Sequence, residues 1–390
     1  AANILRMDIA RPHVISVFGK RGSGKSYTLG VIAEELMTAE PDIKDNLATV
    51  IVDTMGIYWS MKYPNDRATN LLDKWDLKPK RVDTDHYIPQ GQEKIFQENE
   101  IPYDETFTLQ PGGLSASDWA MAFDIESNSP MGILLERAMR NLKQDKDQDF
   151  GIDDVIEYVR AQEGFKKKVK EGLVNRFMSA KDWGIFSQTG LDLDELTQRG
   201  KVSVLDVSLF GEITGGWSVR TLVVGLLAKR FLRERMRARR IEEIEEMEGT
   251  VRSEMPIVWM LMDEAHTFVP AEGETPASTP ILQWVKLGRE PGVSLALATQ
   301  RPNKLHNDVI SQSDLIISHR LTSKPDIDAL GNVMQTYMRK DLATYLDNLP
   351  RTKGAAICLD DNSERIYSMQ VRPRFSWHAG GTPIAIKRNE

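Results

Sequence analysis

The chain has a single cysteine, Cys358, among 390 residues, so no intramolecular disulfide framework is available and a reducing, cytoplasmic setting is expected. No apolar run approaches the roughly 20 residues needed to span a bilayer, and no charged-then-apolar leader opens the sequence. An excess of positive charge is missing too: 50 Lys and Arg stand against 57 Asp and Glu, a net charge of −7. That argues against a surface coated in cations for non-specific nucleic-acid binding. It leaves open a ring whose few lysines and arginines converge on a central channel. Internal repeats and low-complexity tracts are also absent. The remaining composition, 41% hydrophobic and 27% charged, is that of an ordinary globular protein. Its length suits one enlarged domain or two modest ones.

One segment is far from ordinary. Gly19-Lys20-Arg21-Gly22-Ser23-Gly24-Lys25-Ser26 matches G-x-x-x-x-G-K-[ST], the phosphate-binding P-loop. Val14-Ile15-Ser16-Val17-Phe18 before it reads as a buried parallel strand, and the segment from Tyr27 to Leu36 after it reads as a helix. The glycines let successive N–H groups and the helix N-terminus point at one anion. Lys25 is then placed to reach the β- and γ-phosphates of ATP and Ser26 to hold Mg²⁺, and Tyr27 is counted with Gly19–Ser26 among the nucleotide-binding residues.

Along the chain, a second strand is expected at Ala48–Asp53, with further strands at Lys201–Val207, Ile257–Met262, Ser294–Thr299 and Leu315–Ser318. Ala355–Leu359 and Arg365–Val371 read as late strands forming a hairpin. Strands separated by helical segments imply an α/β fold with a mostly parallel sheet covered on both faces. From Met61 to Gln110 the pattern is irregular, broken by Pro64, Pro79, Pro89 and Pro102, and Ser115–Leu142 and Asp153–Met178 read as helices. The expected organisation is therefore a nucleotide-binding core in two parts, 1–60 and 201–390, around a largely helical insertion at 61–200. Lys229–Glu248 carries seven basic residues up to Arg240 and is then Glu-rich. A solvated helix is the default reading of that stretch, with a subunit contact or a DNA-facing strip as the alternatives.

Ile257–Met262 leads directly into Asp263-Glu264-Ala265-His266, so a buried strand delivers two carboxylates to the edge where open α/β sheets bind ligands. Asp263 is assigned to the Mg²⁺ shell beside Ser26, and Glu264 to orienting and polarising the attacking water. Ser294–Thr299 should lie beside this strand, which brings the uncharged amide of Gln300 close to the γ-phosphate as a sensor. Phosphoryl transfer also needs a cation on the equatorial oxygens, often supplied by a neighbouring subunit. Arg289, Arg301 and Arg320 are candidates that residue chemistry alone does not rank. His266 either couples the carboxylates to the next helix or is a structural histidine.

Several nucleotide-handling classes fall away. Asn303-Lys304-Leu305-His306 has histidine where a guanine-reading motif needs aspartate, and no L-S-G-G-Q of transporter ATPases occurs. Asp263–His266 spells D-E-A-H, yet the second RecA-like core and late arginine motif of that helicase superfamily are not visible.

These residues resemble the HerA branch of the HerA–FtsK ATPases. The resemblance rests on Gly19–Thr28, Asp263–His266 and Ala298-Thr299-Gln300-Arg301-Pro302, and it continues through Ile317-Ser318-His319-Arg320-Leu321 and Arg372-Pro373-Arg374. It implies a RecA-like core, a homohexameric ring with ATP at subunit interfaces, and translocation of double-stranded DNA through the centre. By position, Arg289 matches the arginine that such proteins insert into the neighbour's site. Archaeal members work with the nuclease NurA in DNA end resection, and bacterial ones with nucleases or other effectors in phage defence. Family members usually carry an N-terminal β-barrel, whereas 12 residues precede the core here. The resemblance thus implies an ATPase motor. A regulatory ATPase that licenses a partner nuclease without moving is the alternative, and a secretion or conjugation motor fits less well without a membrane segment.

Overall fold

The computed structural model describes residues 4–212, 215–249, 255–334 and 342–380. Ten strands form one sheet: β1 Val14–Phe18, β2 Leu47–Asp53, β3 Thr84–Pro89, β4 Glu105–Phe107, β5 Val202–Asp206, β6 Ile257–Met262, β7 Val293–Thr299, β8 Leu315–His319, β9 Ala355–Asp360 and β10 Arg365–Gln370. Their spatial order is β10-β9-β8-β1-β7-β6-β2-β5-β3-β4. Every neighbouring pair from β8 to β4 is parallel, and only β8–β9 and β9–β10 are antiparallel. The fold is α/β, as the alternating strand and helix pattern requires.

Period-2 alternation sorts the side chains onto two faces. Ile51, Trp259, Leu261, Ala296 and Ala298 point to the face covered by α1 (Lys25–Thr38), where Leu29, Ile32 and Leu36 pack against them. Val50, Val52, Met260, Leu295 and Leu297 point the other way, into a larger core shared with the remaining helices. Both faces of the central strands are dry, which is why β2 and β7 are buried at every position.

Residues 61–200 supply β3, β4 and four longer helices: α2 Ala116–Ala122, α3 Pro130–Lys146, α4 Ile152–Ala161 and α5 Lys167–Lys181. The Ser115–Leu142 stretch is two helices rather than one, because the chain turns at Asp124–Ser129 before Pro130 starts α3 with Ser129 as its cap. A second break at Gln162–Lys166 contains Gly164 at φ 84°, which separates α4 from α5. β3 is hard to see in sequence because its buried positions include Thr84 and His86. Beyond β5 runs α6 (Gly216–Glu248), whose first half packs into the core, and α7 (Ser278–Leu287) lies against it. The loop from Gly211 to Trp217, which follows a sheet strand and reads from the sequence as one candidate for a pore-facing DNA contact, includes residues 213–214, which lie outside the described residues.

Candidate nucleotide site

β1 ends at Phe18 and α1 begins at Lys25, so the P-loop occupies the C-terminal edge of the sheet's central strand. Gly24 caps α1 at φ 117°, a conformation that side chains resist, and its carbonyl accepts the N–H of Thr28 at 2.8 Å. A Cβ on Gly19 would lie 2.4 Å from Ser23 Oγ and 2.7 Å from His319 Cβ, so no larger residue fits the start of the loop. Lys25 is buried, its ammonium turned back to the carbonyl of Lys20 at 3.4 Å. Burial lowers its pKa, while the negative charges of Asp263 and Glu264 oppose that shift. The side chains of Lys20 and Arg21 are exposed, and the Lys20 N–H donates to the carbonyl of Arg320 at 3.0 Å.

Strand register brings the other residues to this loop. Phe18 is level with Thr299 on β7, and Met262 on β6 is level with Leu297, so Asp263-Glu264 and Gln300 leave the sheet at the same edge. Ser26 Oγ donates to Asp263 Oδ2, and Asp263 Oδ1 accepts the Glu264 N–H at 2.8 Å. A hydroxyl and a buried carboxylate side by side are the hard oxygen donors that Mg²⁺ prefers. Glu264 sits at φ 52°, in the left-handed region that five other non-glycine residues among the described ones also adopt. Gln300 Nε2 donates to Glu264 Oε1 at 3.1 Å. The second oxygen, Oε2, is buried without a hydrogen bond, 3.4 Å from His266 Nδ1.

The electrostatics follow from this packing. Burial raises the Glu264 pKa, reinforced by Asp263 and opposed by Lys25, Gln300 and Arg301. Burial also lowers the pKa of His266, helped by Arg301 and Lys25. A neutral His266 shares a 2.9 Å hydrogen bond with Thr299 Oγ1. Ser23 Oγ, inside the P-loop, is a second buried oxygen with no partner. Two buried oxygens without partners, Ser23 Oγ and Glu264 Oε2, together with the buried Lys25, suit a site that holds an anion and an attacking water.

The arginines separate. Arg301 is exposed beside the carboxylates, and Arg320 is half-buried behind the P-loop. Arg289 follows α7 and precedes β7, which puts it at the opposite edge of the sheet from Lys25. It is exposed and, among the described residues, makes no hydrogen bond or ion pair.

Other residues complete the frame, and the sequence assigned none of them a structural role. His319, fully buried, links Thr28 Oγ1 on α1 at 2.9 Å to the Ala355 carbonyl on β9 at 3.1 Å. Tyr58 Oη donates to the Ser26 carbonyl at 3.0 Å. Tyr27 faces away from the carboxylates: its hydroxyl accepts the Arg374 N–H at 2.5 Å, and its ring meets His378 edge-on. Arg374, fully buried, pairs with Glu34 on α1 at 3.3 Å and thereby straps the chain after β10 across that helix. Apolar-strand logic passes over these polar residues. The hints lay in the resemblance, in Gly19–Thr28, Ile317–Leu321 and the arginines around Pro373, whose acidic partners Glu34 and Glu35 lie 337 or more positions away.

A P-loop after a strand in the parallel part of the sheet, with an amide residue from the next strand β7 and acidic residues from β6 beyond it, is the arrangement of a RecA-like P-loop NTPase fold. Residues 5–230 match the family described as the central domain of the helicase HerA, and the chain belongs to that family. The match ends before Asp263, so the second half of the site is carried by the sheet rather than by the matched segment. The DNA double-strand break repair helicase HerA of Pyrococcus furiosus is 28% identical over 182 residues, which is 43% of this chain and 32% of that protein. Matches cover between 32% and 57% of the lengths of the curated relatives. VirB4 of Thermoanaerobacter pseudethanolicus superposes with a TM-score of 0.59 at 11% identity, over 92% of this chain and 89% of that one. The plasmid coupling protein TrwB, solved with a non-hydrolysable GTP analogue, gives 0.53 at 12% identity over 96% and 88%. At such identities these two establish the fold alone. Among the described residues no helix is long and apolar enough to cross a membrane.

Proposed function

We propose that this chain is the ATP-hydrolysing core of a motor that moves double-stranded DNA through a ring of identical subunits, a hexamer. In this reading the motor is coupled to a partner nuclease or effector in DNA end processing or defence. Gly19–Ser26 hold the phosphates, with Lys25 on the β- and γ-phosphates, and Ser26 and Asp263 hold Mg²⁺. When bound, Mg²⁺ neutralises charge on the phosphate oxygens. Glu264 takes the proton of the attacking water, Gln300 holds Glu264 and reads the γ-phosphate, and Arg289 acts on the neighbour's site.

The observation that carries this reading is the state of Glu264. One oxygen is anchored by Gln300 while the other is buried and unpartnered, and the backbone beneath is held left-handed. Burial and Asp263 make this carboxylate a better proton acceptor than an exposed one. Membership of the HerA family supports the choice of duplex DNA, and the name of the Pyrococcus furiosus relative supports a repair setting. The edge position of Arg289 supports a ring, since its own P-loop lies across the sheet.

The test combines mass and motion. Light scattering with ATP and duplex DNA should show assembly toward six subunits, and displacement of a protein roadblock from duplex DNA should require ATP. Salt should weaken DNA binding steeply and without sequence preference. Lys25→Ala should lower hydrolysis at least about 100-fold. A strict monomer under all conditions, or a DNA-indifferent ATPase that moves no roadblock, would overturn the motor reading.

A further inference from the structure

The loop Arg351-Thr352-Lys353-Gly354 lies outside every motif discussed above, yet it is built against the P-loop. β9 runs antiparallel to β8, with Ala356 level with His319, so β9 begins at the edge where β1 and β8 end. The residues just before β9 therefore meet the phosphate-binding loop. The Gly354 N–H donates to the Ser23 carbonyl at 3.4 Å, and a Cβ on Gly24 would lie 3.6 Å from the Gly354 nitrogen.

This loop is held stiffly. Gly354 has φ 85° and its carbonyl accepts the Val371 N–H at 2.9 Å, while a Cβ there would meet Gln370 Nε2 at 2.6 Å. Gln370 Nε2 donates to the carbonyls of Lys353 at 2.9 Å and Val371 at 3.2 Å, and Thr352 Oγ1 donates to Gln370 Oε1 at 3.3 Å. Gln370 thus clamps two residues of the loop, Thr352 and Lys353, through one amide group. What it presents is cationic: Arg351 and Lys353 are both exposed, and among the described residues neither side chain has a hydrogen bond or an ion pair. The Lys353 charge is felt by His378, which packs on Tyr27, the residue after Ser26.

The direction of a bound nucleotide follows from the strand order. Glu264 and Gln300 leave β6 and β7, on one side of β1, and they mark the γ-phosphate end. β8 and β9 lie on the other side, and neighbouring strands are about 4.8 Å apart, so the loop stands about 10 Å across the sheet from β1. We infer that Arg351 and Lys353 bind the nucleoside end of the nucleotide, at the α-phosphate and ribose, and set affinity for ATP and ADP alike. This rests on the nucleotide-site reading above and adds its second wall.

Binding of fluorescent ATP and ADP analogues to the full chain tests it, using Arg351→Ala, Lys353→Ala and the double variant. The double variant should bind both nucleotides about 10-fold more weakly, while hydrolysis at saturating ATP stays within about 2-fold. Lys353→Arg should recover most of the affinity. Unchanged binding of both nucleotides overturns the inference, and so does weakened ATP binding with ADP unaffected, which would put the loop at the γ-phosphate. A parent that binds neither nucleotide, with Lys25→Ala no different, is a failure of the nucleotide-site reading instead. Because both side chains are exposed and unpaired, thermal melts of the variants should overlay the parent's.

Discussion

Two acidic strand ends lie side by side on the sheet, and they are finished in opposite ways. β2 ends in Asp53 and neighbouring β6 leads into Asp263-Glu264. Asp53 is fully buried and accepts four backbone N–H groups: Met55 and Gly56 on Oδ1 at 3.0 and 2.8 Å, Ile57 and Tyr58 on Oδ2 at 2.7 Å each. Nothing is left over for a ligand. Burial, and the Asp206 carboxylate beyond it, push the Asp53 pKa upward against the pull of those four donors. Asp206 is occupied in turn, by His86 Nε2 at 3.2 Å and the Ser208 N–H at 2.8 Å. Glu264 has one such partner and one bare buried oxygen. A carboxylate whose lone pairs are all used holds a turn in shape; one left partly unsatisfied at a cost in stability has work to do on a substrate.

If that distinction is right, the largest single effect on turnover should come from Glu264. Glu264→Gln keeps the Gln300 contact and the volume but removes the proton acceptor. Hydrolysis should fall about 10³-fold, nucleotide affinity should change less than about 3-fold, and the denaturation midpoint should stay put. Steady-state phosphate release, nucleotide binding and a urea titration measure the three. A variant that still turns over at a tenth of the parent rate would break the comparison, since the bare oxygen would then be incidental.

Asp53 should behave in the reverse sense. Asp53→Ala strands four N–H groups in a buried turn and should cost about 3 kcal/mol of stability. Asp53→Asn retains one acceptor oxygen but turns an NH₂ toward the remaining donors, so it should fall between parent and alanine. Because Tyr58 in this turn donates to the Ser26 carbonyl, ATP affinity should weaken with stability rather than independently of it. Urea unfolding of both variants, read against their ATP binding, checks the order. Loss of turnover at full stability would move Asp53 into the chemistry.

Sequence pattern reached one of these two strand ends and not the other, for a physical reason. Both read as an apolar run closing in aspartate, and only the second carboxylate at Glu264, together with the P-loop, marked β6 as the functional one. Whether a carboxylate is saturated depends on how the next five residues turn, and alternation says nothing about that. The same holds elsewhere. The β-branched strands were legible, whereas β3 buries Thr84 and His86, and β4 is three residues long. The hairpin was legible too. That it carries Lys353 and Gly354 to the P-loop follows from β9 running antiparallel to β8, a fact of register that no local pattern encodes. Residue chemistry did not rank the three arginines and only the positional match of the resemblance favoured Arg289, which the fold sets at the edge of the sheet opposite Lys25.

The smallest effect concerns a saturated group on the other side of the P-loop. His319 has both ring nitrogens engaged, by Thr28 and by the Ala355 carbonyl, and burial pushes its pKa down to about 4. The unfolded chain takes up a proton near pH 6.5. Between those values the unfolded state binds the proton and the native state does not, so stability rises with pH there. The contribution is fully present above about pH 6.5 and is lost as pH falls toward 4, which amounts to about 2 kcal/mol between pH 7 and pH 5. His378, pushed down to about 4 by burial and by Arg374, adds in the same direction. His319→Gln keeps a donor and an acceptor without titrating, so its urea midpoint should fall less than the parent's over that pH interval. Equal slopes for the two proteins would mean that His319 is protonated in the native state, and the loop's far side would then hold a charge where the bonding pattern calls for a neutral ring.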